Sequence, residues 1–301
     1  MTTAAEPRPA QLPLTGGRTD ATVRLHPLLV ATMTGPAGHF HRDDGRSGRL
    51  GTALEVISPR ERVEVPVVAF LVEHPGVGKL LIDTGFHAGV AAKPSDAMGR
   101  AGGLVFKDVR MQAEDAVPGQ LRARGIDPHE VRVVVMTHLH SDHASGIAQF
   151  PDATFVVSDS EWDAASEGKQ LQGYFRRQFD HAFDWRLLDF GGPQAGSFAT
   201  FGRAFDLFGD GSVRLVATPG HSAGHMSVVL RLDGGGEALV AGDAIYTMRT
   251  LRDSALPNLM EDEHLFRRSL REIQLYVKET PDAVVIPGHD LGRLGELPKV
   301  L

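Results

Sequence analysis

The sequence contains no cysteine, and it has only three tyrosines and two tryptophans among its 301 residues. Without cysteine no disulfide can form, and a zinc site would have to use histidine, aspartate or glutamate instead of thiolates. Stability must then come from an apolar core, and a chain of 301 residues is long enough to bury one. Hydrophobic residues make up 42% of the chain and charged residues 23%, which is ordinary for a globular protein.

Long apolar runs and an excess of positive charge are also missing. No stretch approaches the roughly 20 apolar residues that a membrane-spanning helix requires. The first residues lack the apolar run of a secretory signal peptide. These features predict a soluble, cytoplasmic protein with no membrane partner. The 31 basic residues are outnumbered by 38 acidic ones, for a formal net charge of −7, so no nucleic-acid partner is expected.

Glycine and proline are abundant, with 34 and 18 copies, which favours a loop-rich mixed fold over a helical bundle. Residues 1–20 are rich in proline, threonine and alanine and predict a flexible N-terminal tail. No internal repeat and no low-complexity linker divides the rest of the chain. Residues 21–301 are therefore expected to form a single domain.

Apolar periodicity predicts the secondary structure. The predicted strands are Val23–Thr32, Val63–Glu73, Lys79–Asp83, Val131–Met136, Thr154–Ser158, Phe198–Phe208, Val213–Ala217, Met226–Leu232, Ala238–Ala241 and Ala283–Ile286. The predicted helices are Gln112–Arg124, Asp159–Glu167, Gln170–Arg186 and Glu261–Lys278. Residues 35–51 and 86–109 are predicted to be long loops, which are often lids or binding loops.

Four of the predicted strands are followed by residues that can bind a metal ion. A His-x-His-x-Asp-His segment occupies residues 138–143, directly after the strand Val131–Met136. The potential ligands that follow the four strands are His138, His140, Asp142, His143, His221, Asp243 and His289. Sites in α/β folds usually lie just past the carboxyl ends of strands. Imidazole nitrogens and carboxylate oxygens are ligands that zinc and similar divalent ions accept.

Four segments, in this order, resemble the metallo-β-lactamase superfamily: Thr137–His143, Thr218–His225, Gly242-Asp243 and Pro287–Asp290. The resemblance extends from about Val63 to Asp290 and so covers most of the chain. It implies an α/β fold of the αββα type, a four-layer sandwich in which two sheets pack face to face with helices outside. The order of the predicted elements is compatible with that fold.

The same resemblance implies a site for two divalent metal ions. The first ion would be held by His138, His140 and His221. The second would be held by Asp142, His143 and His289, with Asp243 bridging the two ions. Asp83 would hydrogen-bond a ligand histidine, although an aspartate that only caps its own turn is the alternative. Zinc is the default metal, and cobalt, manganese or iron are alternatives.

The implied chemistry is hydrolysis of an ester bond. Two ions about 3.5–4 Å apart can share a water and lower its pKa towards about 7, so that a bridging hydroxide attacks the substrate. A metal ion would polarise the substrate oxygen, and Asp142 would pass a proton to the leaving group.

Tyr246, three residues after Asp243, resembles the tyrosine of the N-acyl homoserine lactonase branch, whose phenol hydrogen-bonds the lactone carbonyl. The resemblance therefore implies a quorum-quenching lactonase that opens the ring of acylated homoserine lactones. The alternative for Tyr246 is packing at the base of a loop. Candidates for an acyl-chain groove, with core packing as the alternative, are Phe86, Leu104, Val105, Phe106 and Met248.

Other readings stay open at this point. His225 either supports the site or begins the next strand, and His39 and His41 either contact substrate or lie on the surface. The aromatic segment 174–185 belongs to the core, a pocket wall or the contact of a possible homodimer. The alternative functions are hydrolysis of another lactone or ester, a glyoxalase II-like thioesterase, and a non-catalytic metal-binding protein. A glutathione thioesterase would need a cationic pocket, which the sequence does not reveal.

Overall fold

Two β-sheets form the centre of the molecule, whose computed structural model describes residues 4–42, 61–93, 95, 107–167 and 172–301. The strands are β1 (Arg8–Pro9), β2 (Arg24–Pro36), β3 (Arg62–His74), β4 (Gly78–Ile82), β5 (Lys107–Arg110), β6 (Val131–Val135), β7 (Thr154–Ser158), β8 (Asp184–Leu188), β9 (Gly196–Phe198), β10 (Phe201–Asp206), β11 (Val213–Ala217), β12 (Met226–Arg231), β13 (Glu237–Gly242) and β14 (Val284–Pro287). One sheet has the order β1-β8-β7-β6-β4-β3-β2-β5 and the other has the order β14-β13-β12-β11-β10-β9.

The helices are interspersed with these strands along the chain, and the last one follows β14. They are α1 (Ala37–Phe40), α2 (Val117–Ala123), α3 (Ser141–Ala144), α4 (Asp159–Ser166), α5 (Arg176–Phe179), α6 (Met248–Asp253), α7 (Glu263–Glu279) and α8 (Leu291–Glu296). Short 3-10 turns occur at Ala88–Ala91, Ala113–Asp115, Pro128–Glu130 and Ile147–Gln149. Within the described ranges, no helix has the length and apolar character needed to span a lipid bilayer.

The two sheets pack against each other through alternate residues of their strands. Val228 and Leu230 of β12 share one buried cluster with Phe70 and Val72 of β3, across the interface between the sheets. Successive side chains of a strand point to opposite faces, and Val229 accordingly belongs to a second cluster that contains apolar residues of the helices. This four-layer arrangement confirms the predicted sandwich.

Helix α7 covers the six-stranded sheet and forms where the sequence predicts it. Phe266, Leu270 and Ile273 are buried on one stripe, and they share a cluster with Val229 and Leu239 of the sheet. The Asp262 carboxylate accepts a hydrogen bond of 2.9 Å from the Leu265 backbone N–H, which caps the helix. The predicted helix Glu261–Lys278 is therefore confirmed, with its ends displaced by one or two residues.

The predicted helix Gln170–Arg186 is wrong. Of residues 172–186, only Arg176–Phe179 is α-helical, and the end of the segment belongs to strand β8. Trp185 lies beside Phe155 of β7 in parallel register, with ring centroids 4.8 Å apart. Aromatic side chains stabilise a sheet when they pair across strands, and this contact outweighs the helical periodicity of the segment. Trp185 is fully buried, so this residue belongs to the core.

Several predicted boundaries shift for local reasons. The helix predicted at Gln112–Arg124 begins only at Val117, because Pro118 fits the first turn of a helix and not its interior. The strand predicted at Phe198–Phe208 is divided into β9 and β10 by a turn in which Ala199 has φ +48°.

The two predicted long loops are only partly described. Residues 35–51 begin with the end of β2 and helix α1, and residues 86–109 include the Ala88–Ala91 turn and most of β5. Leu104, Val105 and Phe106 lie outside the described residues, so the predicted acyl-chain groove stays a prediction there.

Residues 4–20 are attached to the sheet where their composition predicts a flexible tail. Strand β1 pairs in parallel with β8, and the Arg8 guanidinium lies 2.7 Å from the Asp184 carboxylate. The Arg18 backbone N–H donates to Asp210 at 2.9 Å. These partners are 176 and 192 residues away in sequence, so the local composition could not reveal them.

Candidate metal centre

The seven potential ligands meet where strands β6, β11, β13 and β14 end. Strands β13 and β14 are parallel neighbours, so Asp243 and His289 follow adjacent strand ends. His140 precedes helix α3, which contains Asp142 and His143. Three groups have one ligand atom from each member within 4.8 Å of the others, and they are His138/His140/His221, His138/His143/Asp243 and Asp142/His143/His289.

Three imidazoles converge on one side of this cage. The Nε2 atom of His221 lies 3.2 Å from Nε2 of His138 and 2.9 Å from Nδ1 of His140. Burial lowers the pKa of His138 and of His221 well below the usual value, and burial lowers the pKa of His140 to about 4. Neutral imidazoles present lone pairs, so this side of the cage is suited to a cation.

The Asp243 carboxylate lies between the two sides of the cage. Its Oδ2 is 3.3 Å from Nε2 of His221 and 3.2 Å from Nε2 of His289, and its Oδ1 is 3.4 Å from Nε2 of His143. Asp142 completes the second side, with Oδ2 3.6 Å from Nε2 of His289 and 3.7 Å from Nε2 of His143.

Backbone and carboxylate acceptors determine which nitrogen of two histidines carries the proton. Nδ1 of His143 lies 2.8 Å from Oδ2 of Asp83, and Nδ1 of His289 lies 3.1 Å from the Pro66 carbonyl oxygen. Neither oxygen can donate when the carboxylate is ionised, so both Nδ1 atoms carry the hydrogen. When these imidazoles are neutral, the lone pairs of His143 and His289 lie on Nε2, the ring nitrogen that faces the cage.

Charge separates these two histidines from the other three. Burial disfavours the charged form of His143, but the carboxylates of Asp142, Asp83 and Asp243 outweigh it and hold the pKa of His143 well above its usual value. His289 is also raised in pKa, against the effect of burial, by Asp243 and Asp142. Burial raises the pKa of Asp243, but His289, His143 and His221 reverse this and hold it well below the usual value.

The donor set fits divalent cations. Among the described residues, Nε2 of His143 and Oδ1 of Asp243 are buried atoms without a hydrogen-bond partner. An unpaired buried polar atom costs about 1–3 kcal/mol, so two of them facing one space indicate a ligand that accepts lone pairs. Imidazole nitrogens with carboxylate oxygens match zinc and neighbouring transition metals.

Asp83 supports two residues of this region, His143 and Thr137, through hydrogen bonds. It has φ +58° at the end of β4, and its Oδ1 accepts the Thr137 backbone N–H at 2.8 Å. Its Oδ2 accepts the Thr137 hydroxyl at 2.8 Å and faces Nδ1 of His143. Asp83 therefore contacts the predicted ligand His143 and also Thr137, the residue before His138.

His225 lies beside the cage and cannot complete it. Its Nε2 accepts a hydrogen bond of 3.0 Å from the Asp243 backbone N–H, and its Nδ1 lies 2.8 Å from the Thr218 hydroxyl. A backbone N–H is always a donor, so the Nε2 lone pair is occupied. His225 thus supports the backbone of Asp243, which is the first of the two alternatives for this residue.

Two glycines permit the close packing of the cage. A Cβ at Gly288 would lie 2.4 Å from Oδ1 of Asp243, and a Cβ at Gly242, which has φ +53°, would lie 2.7 Å from Nε2 of His225. No other residue type fits these positions without displacing a side chain of the site.

Tyr246 lies against the cage with its hydroxyl 2.7 Å from Nδ1 of His221. Its ring stacks on that of His289, with centroids 5.6 Å apart and an interplanar angle of 21°, and it also contacts Phe40 of α1. Burial, with the charges of Asp243 and Asp142, raises the pKa of Tyr246 well above its usual value. The phenol is therefore protonated at neutral pH.

The remaining candidates lie around the site or away from it. Nε2 of His41 is 2.7 Å from the Thr247 hydroxyl, and His39 is buried in α1. Phe86 is fully buried in the core. Met248 begins α6 and is partly buried against the core.

Glu161, a fully buried carboxylate in α4, is not among the site residues predicted from the sequence. It accepts four hydrogen bonds, from the backbone N–H groups of Leu139 and Gly224 and from the hydroxyls of Tyr174 and Ser222. Burial raises the pKa of Glu161, and these donors oppose that rise. The one local signal is the Ser158-x-x-Glu161 spacing, which is typical of a helix N-terminus.

Comparisons with known proteins agree with this geometry. The model of the metallo-beta-lactamase superfamily matches residues 62–289. The N-acyl homoserine lactonase AttM of Rhizobium radiobacter is 36% identical over 233 residues, which cover 75% of this chain and 82% of the relative.

Two solved structures resemble the fold. An N-acyl homoserine lactone hydrolase with the product N-hexanoyl-L-homoserine at its catalytic metal centre matches with a TM-score of 0.75 and 22% identity, over 92% of this chain and 97% of that one. The dizinc quorum-quenching lactonase AidC matches with a TM-score of 0.57 and 14% identity, over 95% and 91% of the two chains. At these identities, the likeness is one of fold.

Proposed function

Since the chain belongs to the metallo-beta-lactamase superfamily, we propose that it is a metal-dependent hydrolase that opens the ring of N-acyl homoserine lactones. The observation that carries this proposal is Tyr246, whose protonated hydroxyl lies 2.7 Å from a histidine of the seven-residue cage. The 36% identity with a curated N-acyl homoserine lactonase supports it. The biological role would then be quorum quenching.

The proposed metal site has two positions. The first position is held by His138, His140 and His221, and the second by Asp142, His143 and His289, with Asp243 shared between them. When bound, divalent ions supply a nucleophile at neutral pH and polarise the scissile carbonyl. Zinc is the proposed metal, by the chemistry of the donors and the dizinc description of AidC.

Two side chains of this chain would act on the substrate itself. The Tyr246 phenol, kept protonated by burial, donates a hydrogen bond to the lactone carbonyl oxygen, where negative charge develops. Asp142, whose carboxylate is more exposed than that of Asp243, would take up the proton that the attacking water loses. It would then pass this proton to the ring oxygen, which leaves as the acyl–oxygen bond breaks, so that the products are a carboxylic acid and a hydroxyl group. Asp83 keeps His143 oriented through its Nδ1 hydrogen bond.

Ring opening gives the test of this proposal. Hydrolysis of a lactone releases one acid equivalent, so metal-loaded protein can be assayed with a pH indicator against acylated homoserine lactones, simple lactones, a glutathione thioester and a phosphodiester. Preference for acylated lactones is expected, and the same protein stripped of metal is the control. Activity confined to the thioester or the phosphodiester would overturn the proposal. It would also be overturned if the metal-loaded and the metal-stripped protein both left the lactones to hydrolyse at the background rate.

Three further properties stay predictions. They are the cytoplasmic location, the homodimer and the extent of the domain over residues 21–301. Measurement of the molar mass in solution would test the dimer.

A further inference from the structure

Glu161 is a buried carboxylate that the proposed mechanism does not use. It lies in the first turn of α4, directly after β7, and its fractional exposure is 0%. Its four hydrogen-bond partners are all uncharged groups. A buried carboxylate is costly unless its environment is fully arranged to accept it, so this arrangement calls for a functional explanation.

The four donors fill both oxygens of Glu161. Oε1 accepts the Leu139 backbone N–H at 2.9 Å and the Tyr174 hydroxyl at 3.1 Å. Oε2 accepts the Ser222 hydroxyl at 2.6 Å and the Gly224 backbone N–H at 3.1 Å. Each oxygen thus faces one peptide N–H, which can only donate, and the group at this position must accept on both sides.

These donors come from the two segments that carry the first metal position. Leu139 lies between His138 and His140, and its N–H is fixed by Oε1. Ser222 directly follows His221, and its hydroxyl is fixed by Oε2. One carboxylate therefore ties together the backbones that present all three imidazoles of this position.

Tyr174 links Glu161 to the imidazole ring of His140 as well. Its ring centroid lies 4.6 Å from that of His140, and the two residues also form an isolated β-bridge. The hydroxyl of Tyr174 is held by Glu161, so the ring that supports His140 is held as well.

We propose that Glu161 is a positioning residue that sets the metal affinity of the His138/His140/His221 position, while Asp83 does so for the position that includes His143. This inference rests on the proposed function, because it assumes that the cage holds two ions. Glu161 acts through the two backbone segments and Asp83 through Nδ1 of His143. Asp83 contacts His143 directly, but it also binds the Thr137 hydroxyl, which lies 3.1 Å from Nδ1 of His138. Asp83 is therefore linked to both metal positions, whereas Glu161 contacts only the segments of the first.

An amide cannot replace this carboxylate. In Glu161→Gln one oxygen becomes an NH₂ group, which must then face either the Leu139 or the Gly224 N–H, donor against donor. Loss of such supporting interactions typically weakens metal binding about 10- to 100-fold. The substitution changes neither a ligand atom nor the volume of the side chain.

Stepwise binding of Zn²⁺ to the full chain tests the inference. The two dissociation constants are measured by competition with a chromophoric chelator, for wild type, Glu161→Gln, Asp83→Asn and the double variant. Glu161→Gln is expected to weaken binding at the three-imidazole position about 10- to 100-fold and to leave the other position within about threefold. Asp83→Asn should weaken most the position that includes His143, and the double variant should weaken both. The matched control is Glu237→Gln, because Glu237 accepts the Tyr276 hydroxyl at 2.6 Å outside the ligand segments.

The Co²⁺ absorption spectrum identifies the weakened position. Titration of Glu161→Gln with Co²⁺ should first fill the position that contains carboxylate Asp142, whereas Asp83→Asn should first fill the three-imidazole position, so the two spectra at one equivalent should differ. Identical spectra, unchanged Zn²⁺ affinities in Glu161→Gln, or one tight ion left in the double variant would each overturn the inference.

Milder variants keep the test decisive if Glu161→Gln does not fold. Ser222→Ala and Tyr174→Phe each remove one donor and keep both peptide contacts, and each should weaken the same step by about threefold to tenfold. Unchanged affinities in both would contradict the role of Glu161. If wild type binds fewer than two ions, the proposed metal site fails and this inference with it; two tight ions with lactone hydrolysis and unaffected variants would remove only the inference.

Discussion

At the scale of single residues, the Tyr246 hydroxyl can be removed without disturbing the packing of its ring. Tyr246→Phe keeps the stacking on His289 and the contact with Phe40. Loss of a hydrogen-bond donor to a developing oxyanion typically lowers kcat about 100-fold or more. We expect a decrease of this order in lactone hydrolysis, with the metal content per chain unchanged at saturating Zn²⁺.

Tyr276→Phe is the control for this substitution, because Tyr276 lies in α7 and its hydroxyl donates a hydrogen bond to Glu237, outside the ligand segments. Its kcat should equal that of wild type. Full activity of Tyr246→Phe would remove the role proposed for this hydroxyl.

Gly288 is a second residue whose substitution has a defined effect. In Gly288→Ala the new Cβ would lie 2.4 Å from Oδ1 of Asp243, so the shared carboxylate must move. Such overpacking costs about 1–3 kcal/mol, and we expect less than two metal ions per chain, measured by atomic emission. Gly295→Ala is the control, since a Cβ added at this position of α8 would have no atom within 4 Å. This substitution should raise the free energy of unfolding by about 0.5–1 kcal/mol. Two ions in Gly288→Ala would contradict the close contact.

The potential ligands and one supporting carboxylate, Asp83, could be predicted from the sequence, but Glu161 could not. His138, His221 and His289 follow apolar strands, and this position relative to a strand end is visible in the sequence. Glu161 shows no such pattern, because its donors Leu139 and Gly224 are 22 and 63 residues away. Its spacing from Ser158 suggests an ordinary helix cap, and only the fold turns its carboxylate towards the ligand segments.

At the scale of elements, the turn between β3 and β4 depends on a neutral histidine. Nδ1 of His74 accepts the N–H groups of Gly76 and Val77 at 3.0 and 3.1 Å, and Nε2 lies 3.1 Å from Asp210. Burial lowers the pKa of His74, against the effect of Asp210. The unfolded chain, with a pKa near about 6.5, then binds more protons than the folded one, so this contribution is present above that pH and is lost as the pH falls below it.

We predict that the difference in free energy of unfolding between wild type and His74→Phe becomes smaller at acidic pH. His74→Phe keeps the ring beside Phe208 but loses the acceptor, and it should cost about 1–3 kcal/mol at pH 7.5 and less at pH 5.5, measured by urea unfolding. His129→Gln is the control, because its effect on the free energy of unfolding should depend on pH in the opposite direction. The pKa of His129 is raised by its hydrogen bond to Asp152, so its stabilisation is present in acid and is lost as the pH rises. A gap for His74→Phe that grows in acid would contradict the prediction.

Helices and strands were predictable where an apolar face along the element is enough to determine its secondary structure. Helix α7 has a polar and an apolar side, and its apolar stripe alone predicts it. Strand β8 was missed because its aromatic residues also fit a helical pattern, and the contact between Trp185 and Phe155 that selects a strand is formed only in the sheet. Strand β1, with two residues, has no pattern to find.

At the scale of the whole molecule, bound metal should stabilise the fold. A ligand at 100 times its dissociation constant contributes about 2.7 kcal/mol per site, and for a chain of this size two sites should raise Tm by about 10 °C. We expect EDTA to lower Tm by this amount and added Zn²⁺ to restore it, as measured by scanning fluorimetry. EDTA presaturated with Zn²⁺ is the control. A Tm that does not respond to EDTA would count against a cage that holds metal.

The overall sandwich was predictable because the order of strands and potential ligands along the chain already matched one fold. What the sequence could not supply was the attachment of residues 4–20, whose partners lie far along the chain, and the tautomers of the histidines. The proton on His289 is fixed by the Pro66 carbonyl, 223 residues away. Such details depend on backbone atoms, which every residue possesses and no motif marks.

The parallel pairing of β13 with β14 has a kinetic consequence. The strands are separated by α6 and α7, and Asp243 and His289 come together only once this crossover is complete. Contacts between distant parts of a chain form slowly, because the entropy of closing the connecting loop opposes them. On the ribosome, the segment 138–143 emerges long before His289, so capture of the second ion would have to await release of the last strand. A nascent chain arrested before β14 should therefore hold fewer tightly bound ions than the released protein.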